Sequence, residues 1–159
     1  MATLSDRETP ATESEIKRVA DLLGGSVVHE DWGSSLHVHE FLRHGLPGAA
    51  LTHLIGKVAL LGHPAICGLA IGMSLRTYQR FKAASEKTLS TEQSGRIWKF
   101  AEILAKATAI LGSQDEAEQW LMRPAIGLDQ RRPIDLLATP VGVGLVEDLL
   151  DRLEYGVYA

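Results

Sequence analysis

Wherever apolar residues recur in this chain they do so at three- and four-residue spacing, and that period builds helices. Ile16, Val19, Ala20 and Leu23 form one stripe, and Leu51, Leu54, Ile55, Val58 and Leu61 a second. A long third stripe runs through Ile97, Trp98, Ala101, Leu104, Ala105, Thr108 and Leu111. No stretch alternates apolar and polar residues for long enough to make a sheet, although Ser26-Val27-Val28-His29 fits a short extended piece. The fold class is therefore all-α.

Capping signals divide the stripes into elements. Thr12-x-x-Glu15, Ser90-x-x-Gln93 and Ser113-x-x-Glu116 have capping-box spacing, and Gly24-Gly25, Gly45 and Gly112 sit where helices should stop. The spacing predicts disorder over 1–11, a connector over 26–33, a helix over 35–44, and a third helix with Pro47 in its first turn. Ala117, Trp120 and Leu121 face inward on a helix that Pro124 ends. A loop then covers 125–131, Pro133 to Leu137 makes one or two helical turns, and the last helix runs from Val141 to Leu153.

With 159 residues, 45% of them hydrophobic and 23% charged, the chain can bury a core as a soluble protein. No apolar run spans a bilayer, and Met1 to Glu8 lacks the layout of a secretory signal, so a cytoplasmic location is expected. The single Cys67 fits a reducing compartment and reads as a small buried hydrophobe. The net charge of −4 conceals an asymmetry: Ser74 to Lys99 holds six basic residues against two acidic, whereas Ser113 onward holds four arginines against nine carboxylates. A basic middle suits nucleic acid, and an acidic last third suits another partner.

Pro64 to Lys82 carries the strongest local pattern. A short helix through Ile66, Cys67, Leu69 and Ala70 meets Gly72-Met73-Ser74, and a second helix follows. Gly72 supplies positive φ, Met73 plugs the core, Ser74 is an N-cap and Tyr78 turns back inward. Gly68 leaves room for close approach of the second helix. These offsets are those of a helix-turn-helix, weighed against a plain helical hairpin with a solvated basic face. The second helix offers Arg76, Gln79 and Arg80 to base edges and Thr77 and Lys82 to phosphates, with Ser74 at its start.

Chemistry finds no foothold. His37, His39, His44 and His53 suggest a metal, but residues two apart on a helix do not share a face, and no cysteine or carboxylate pair completes a site. There is no phosphate-binding glycine loop and no nucleophile with its base. Glu102, Asp115 and Glu116 read as solvated helix faces, Trp98 and Phe100 as core. No catalytic residue, metal or cofactor is expected. The end of the chain, Glu154-Tyr155-Gly156-Val157-Tyr158-Ala159, places anchor-type side chains where termini usually turn polar, as if it docks against something.

Five motifs occur in order: Gly72-Met73-Ser74-Leu75-Arg76-Thr77-Tyr78-Gln79-Arg80; Leu89-Ser90-Thr91-Glu92-Gln93-Ser94; Ala117-x-x-Trp120-Leu121; Pro133-x-x-Leu136-Leu137-Ala138-Thr139; and Val146-x-x-Leu149-Leu150-x-Arg152-Leu153-Glu154-Tyr155-Gly156-Val157-Tyr158. Together, from about Gly45 onward, they resemble the Xre/MbcA/ParS antitoxins, partners of RES-type toxins. The resemblance implies an Xre-like helix-turn-helix domain, taken as 34–88, and a toxin-binding domain, taken as 89–159; residues 1–33, outside it, read as an N-terminal arm and short helix, partly disordered. It also implies a cognate RES-domain toxin that consumes NAD, operator DNA bound by a homodimer within a larger hetero-oligomer, and repression of the shared operon. The toxin-facing set it implies is Arg132, Glu147, Asp151, Glu154, Tyr155, Gly156, Val157, Tyr158 and Ala159, whose terminal carboxylate suits an arginine of an NAD pocket. The chain departs from the family at Asp129-Gln130-Arg131-Arg132, where a glycine-rich stretch is expected, and in its histidine-rich first forty residues. The competing reading is a homodimeric helix-turn-helix regulator whose C-terminal part only dimerises. A further alternative for the tail is that its tyrosines close the chain's own core.

Overall fold

The computed structural model describes residues 10–25, 33–84 and 86–156. Eight α-helices lie among them: α1 (Pro10–Leu22), α2 (Ser35–His44), α3 (Gly48–Lys57), α4 (Pro64–Ile71), α5 (Leu75–Ala83), α6 (Thr91–Leu111), α7 (Gln114–Leu121) and α8 (Pro140–Glu154). Short 3-10 turns cover Ala59–Gly62, Ile126–Leu128 and Pro133–Leu136. No strand forms among the described residues; the only pairings of that kind are isolated bridges, Pro47 with Thr88 and Ala125 with Arg131.

α6 is the axis. Its 21 residues bury Ile97, Trp98, Phe100, Ala101, Ile103, Leu104, Ala105 and Ala107, and α1, α2, α4, α7 and α8 all pack against it. Phe100, Leu51, Leu54, Leu61, Leu121, Ile134 and Leu150 belong to one continuous apolar core. Burying each such leucine contributes about 1.5–3 kcal/mol, so the fold rests on this helix's faces rather than on intrinsic propensity. Trp98 and Phe100 are core, as their spacing predicts, and Cys67 is buried, its thiol pKa pushed up by desolvation. A raised pKa keeps it protonated and inert.

The capping chemistry reads through directly. Ser90 and Gln93 form a reciprocal capping box, Ser34, Ser74, Ser113 and Thr139 each accept an N-terminal backbone N–H, and Gly45 and Gly112 close their helices. The boundaries shift in places. α1 starts at Pro10, so Pro10 and Ala11 are helical rather than disordered as predicted, and Thr12 lies inside the helix rather than capping its start. Pro47 is the extended N-cap of α3 (ψ 148°), not a residue of its first turn, and the free N–H of Gly48 bonds to Lys87 carbonyl at 2.9 Å. Val58 is the extended residue between α3 and the 3-10 turn, and Leu61 lies within that turn, yet both stay fully buried. The extended piece at Ser26–His29 lies outside the described residues.

Ser94 is the single buried polar residue in the described core. Its hydroxyl accepts the Leu46 N–H at 2.8 Å, fastening the α2–α3 connection to α6. Around it, Leu89 N–H donates to Leu46 carbonyl and Thr91 hydroxyl donates to Arg43 carbonyl. At the other end of α6, α7 is tied to the α3 region: Gln114 Nε2 donates to Lys57 carbonyl at 2.8 Å and Glu118 Oε1 accepts the Leu60 N–H at 3.0 Å. With Ile16 of α1 and Leu150 of α8 in the same apolar core, the described helices share one packed body.

Candidate functional site

α4, the turn at Gly72-Met73-Ser74 and α5 form the helix-turn-helix expected from the sequence. Gly72 adopts φ +66°, a left-handed conformation that costs a residue with a Cβ about 1–2 kcal/mol. A side chain here would also displace the guanidinium of Arg96, a contact visible only in three dimensions. A Cβ at position 72 would lie 2.5 Å from Arg96 Nη1. Arg96, on α6, rests over the turn and donates from Nη2 to Leu69 carbonyl at 2.9 Å, satisfying a C-terminal carbonyl of α4. Met73 is 3% exposed and plugs the core below. Gly68 does not play its expected part, since a Cβ there would meet nothing within 4 Å. The close approach in this motif comes from Gly72 instead.

α5 buries none of its residues, the one long-sided consequence of a sequence rich in Arg, Gln and Lys. Arg76, Gln79, Arg80 and Lys82 are exposed and Thr77 half-buried, while Leu75, Tyr78 and Phe81 pack against the core. Ser74 is exposed as well, but its hydroxyl is engaged as the N-cap, 3.2 Å from Thr77 N–H and 3.0 Å from Thr77 Oγ1.

The C-terminal set divides by geometry. Arg132 donates twice to Asp135, from Nε and Nη2, both at 2.8 Å. That pairing holds the Asp135 carboxyl below the usual range, chiefly through the hydrogen bond from Arg132. Glu147 lies 3.1 Å from Lys99, and Asp151 is bonded to Lys106, so both carboxylates clamp α8 to α6. Burial works against the charge of both lysines, but the hydrogen bonds they donate to their acidic partners, with the partners' charge, outweigh it and raise the pKa. Glu154 is exposed, Gly156 has φ +71° and Tyr155 is 79% exposed, so Tyr155 does not close the chain's own core. Val157, Tyr158 and Ala159 lie outside the described residues.

α8 also presents an outer apolar edge. Val141 and Leu145, one turn apart, are 77% and 50% exposed. Its inner face is fixed closely: a Cβ at Gly142 would collide with the Leu136 carbonyl, and Val146, Leu149 and Leu150 are buried.

Several residues that matter escape a sequence reading. Glu102 is not a solvated face residue; it accepts from Trp98 Nε1 at 3.2 Å and from Lys99 at 2.6 Å. Ser94 lies three residues before Ile97 on the buried stripe, and that register was the available signal. Arg96 and Lys106 gave none, because their partners lie on other helices, and neither did the contact of Lys99 with Glu147 on α8. Among the described residues no group of three metal-ligating side chains gathers, and no helix is long and apolar enough to cross a membrane.

Comparison with known proteins places this geometry. Residues 37–102 match the antitoxin Xre-like helix-turn-helix domain, and residues 106–156 match the antitoxin Xre/MbcA/ParS C-terminal toxin-binding domain. The two matches meet inside α6. An Antitoxin Xre from Photorhabdus laumondii is 30% identical over 125 residues, covering 78% of this chain and 82% of the relative. Another from Yersinia enterocolitica is 33% identical over 91 residues, 57% of this chain and 61% of the relative. A third, from Pseudomonas putida, is 30% identical over 71 residues, 45% of each chain. With both domains matched in order and most of a curated relative covered, this chain belongs to the Xre family of antitoxins, whose roles are regulatory rather than enzymatic.

Proposed function

We propose that this antitoxin neutralises a RES-domain, NAD-consuming toxin by covering its active site with the end of α8 and residues 155–159. We further propose that it represses its own operon through α5, as a homodimer within a larger hetero-oligomer. The observation that carries the first part is Tyr155, a large amphipathic ring left 79% exposed at the end of a firmly held helix. Exposed aromatics with few rotors are favoured interface anchors, because little entropy is lost on docking. Glu154 beside it adds negative charge suited to the cationic groups that bind a pyrophosphate. Glu147 and Asp151 serve this surface by fixing α8, and Arg132 by fixing the turn before it.

α5 supports the second part. Its unburied Arg76, Gln79 and Arg80 are the side-chain types that pair with base edges in a major groove, and Lys82 suits a phosphate. The domain limits proposed are 34–88 for the DNA-reading part and 89–159 for the toxin-binding part, with 1–33 as an arm.

The test is co-expression with the protein encoded beside it. That neighbour should deplete cellular NAD when produced alone, and co-purify with this chain without depletion when both are present. The complex should also retard the operon's own promoter fragment on a gel. A neighbour that leaves NAD untouched, or fails to co-purify, contradicts the proposal.

A further inference from the structure

A groove of about 440 Å³ runs between the first turns of α6 and α8. Leu137, Ala138, Pro140 and Val143 give it apolar walls. Gly95 of α6 and Gly144 of α8 also line it, and a Cβ on either would meet nothing within 4 Å. At its rim Lys99 and Glu147 are joined at 3.1 Å, while Arg96 donates from Nη2 to Leu69 carbonyl and its buried Nε has no hydrogen-bond partner. The walls favour an apolar occupant, because a polar group seated against Leu137, Ala138, Pro140 and Val143 would lose hydration without gaining a hydrogen-bond partner there.

We propose that this groove receives an apolar side chain of the cognate toxin, extending the toxin's footprint from α8 across to Gly95 and Arg96 of the helix-turn-helix half. The inference rests on the antitoxin reading above. Continuity argues for that occupant. The α8 wall lies within the toxin-binding match, and the exposed Val141 and Leu145 extend the same helix's apolar surface outward. Arg96, which closes the turn at Gly72, then lies under the bound toxin, beside the DNA-reading motif.

The experiment uses the full chain and the toxin encoded with it, the latter made by cell-free synthesis, with binding followed by calorimetry. Gly144→Leu and Gly95→Leu fill the groove from opposite walls. Gly56→Leu, on the exposed face of α3 where a Cβ also meets open space, is the control. Leucine is the better helix former at all three sites, so melting temperatures should hold or rise. The expected result is toxin affinity lowered about tenfold or more by either groove variant and unchanged by Gly56→Leu. Affinity within about twofold of the unsubstituted chain for folded Gly144→Leu overturns the groove assignment alone. So does intact toxin binding with lost self-association, which would give the groove to a second copy. Absence of toxin binding by the unsubstituted chain overturns the antitoxin reading and the groove together.

Discussion

Lys99 Nζ lies 3.1 Å from Glu147 Oε1 and 2.6 Å from Glu102 Oε1, so one ammonium joins α6 to the middle of α8. The cluster is half exposed, with Lys99 and Glu147 side chains 38% and 36% accessible, which limits its worth to about 0.5–1 kcal/mol. Burial opposes the lysine's charge, yet its acidic partners raise its pKa above the ordinary 10.5. A raised folded-state pKa contributes stability that is fully present below the unfolded value and lost as pH climbs through the folded one. Lys99→Met should therefore lower the melting temperature at neutral pH and make its decline above pH 10.5 shallower. Thermal melts across that range, monitored by circular dichroism, check both signs.

Asp135 gives the opposite window. Its hydrogen bonds from Arg132 depress its pKa below 3.8, so its contribution is present above that value and fades as the carboxylate protonates at lower pH. Arg132→Ala should remove the contribution, leaving a variant whose melting temperature falls less steeply on acidification. A melt series below pH 4 reads it.

Ser94 and Leu46 form the one buried side-chain hydrogen bond that fastens the α2–α3 connection. Ser94→Ala leaves the Leu46 N–H buried without a partner and should cost about 1–3 kcal/mol. Denaturant unfolding measures it, and a loss below a few tenths of a kcal/mol would show that the connection has another anchor.

Asp129 and Gln130 have φ of +56° and +62°, consecutive left-handed residues in the loop where the family resemblance leads one to expect glycines. Aspartate tolerates this region better than glutamine. Gln130→Gly should stabilise the protein by about 1 kcal/mol, partly offset by glycine's greater freedom in the unfolded chain. The unfolding midpoint should rise.

On α5, an Arg76→Ala/Arg80→Ala variant should weaken operator binding by at least about 1–3 kcal/mol and blur discrimination between operator and random DNA. Lys82→Ala should weaken both alike and flatten the salt dependence. Neutralisation of the toxin should survive all three changes. Fluorescence anisotropy at two salt concentrations separates these outcomes.

The helices, their caps and the Gly72 turn were legible in the sequence because each depends on neighbours within a few residues. Ser90-x-x-Gln93 makes its capping box with no outside help. What stayed hidden was set by residues distant in the chain. Arg96 over Gly72, Lys106 on Asp151 and Glu118 beneath Leu60 have no local signature, and neither does the open space beside Gly68 and Gly144. Glu102 is different: its partners Trp98 and Lys99 stand one turn away on α6, where the spacing allows a contact but does not fix it. The C-terminal carboxylates looked alike in sequence, yet Glu147 and Asp151 are bound to lysines and Glu154 stands exposed. Only the packing of α8 on α6 distinguishes them.

The central claim is that the end of α8 silences the toxin. The most direct measurement is cellular NAD in cells co-expressing the toxin with a chain ending at Glu154. Tyr155 packs against nothing in the core, so this chain should fold and melt close to the full-length protein. NAD should fall to the level seen with toxin alone, with the truncated antitoxin soluble and present. Preserved NAD alongside that folded, truncated chain would contradict the account.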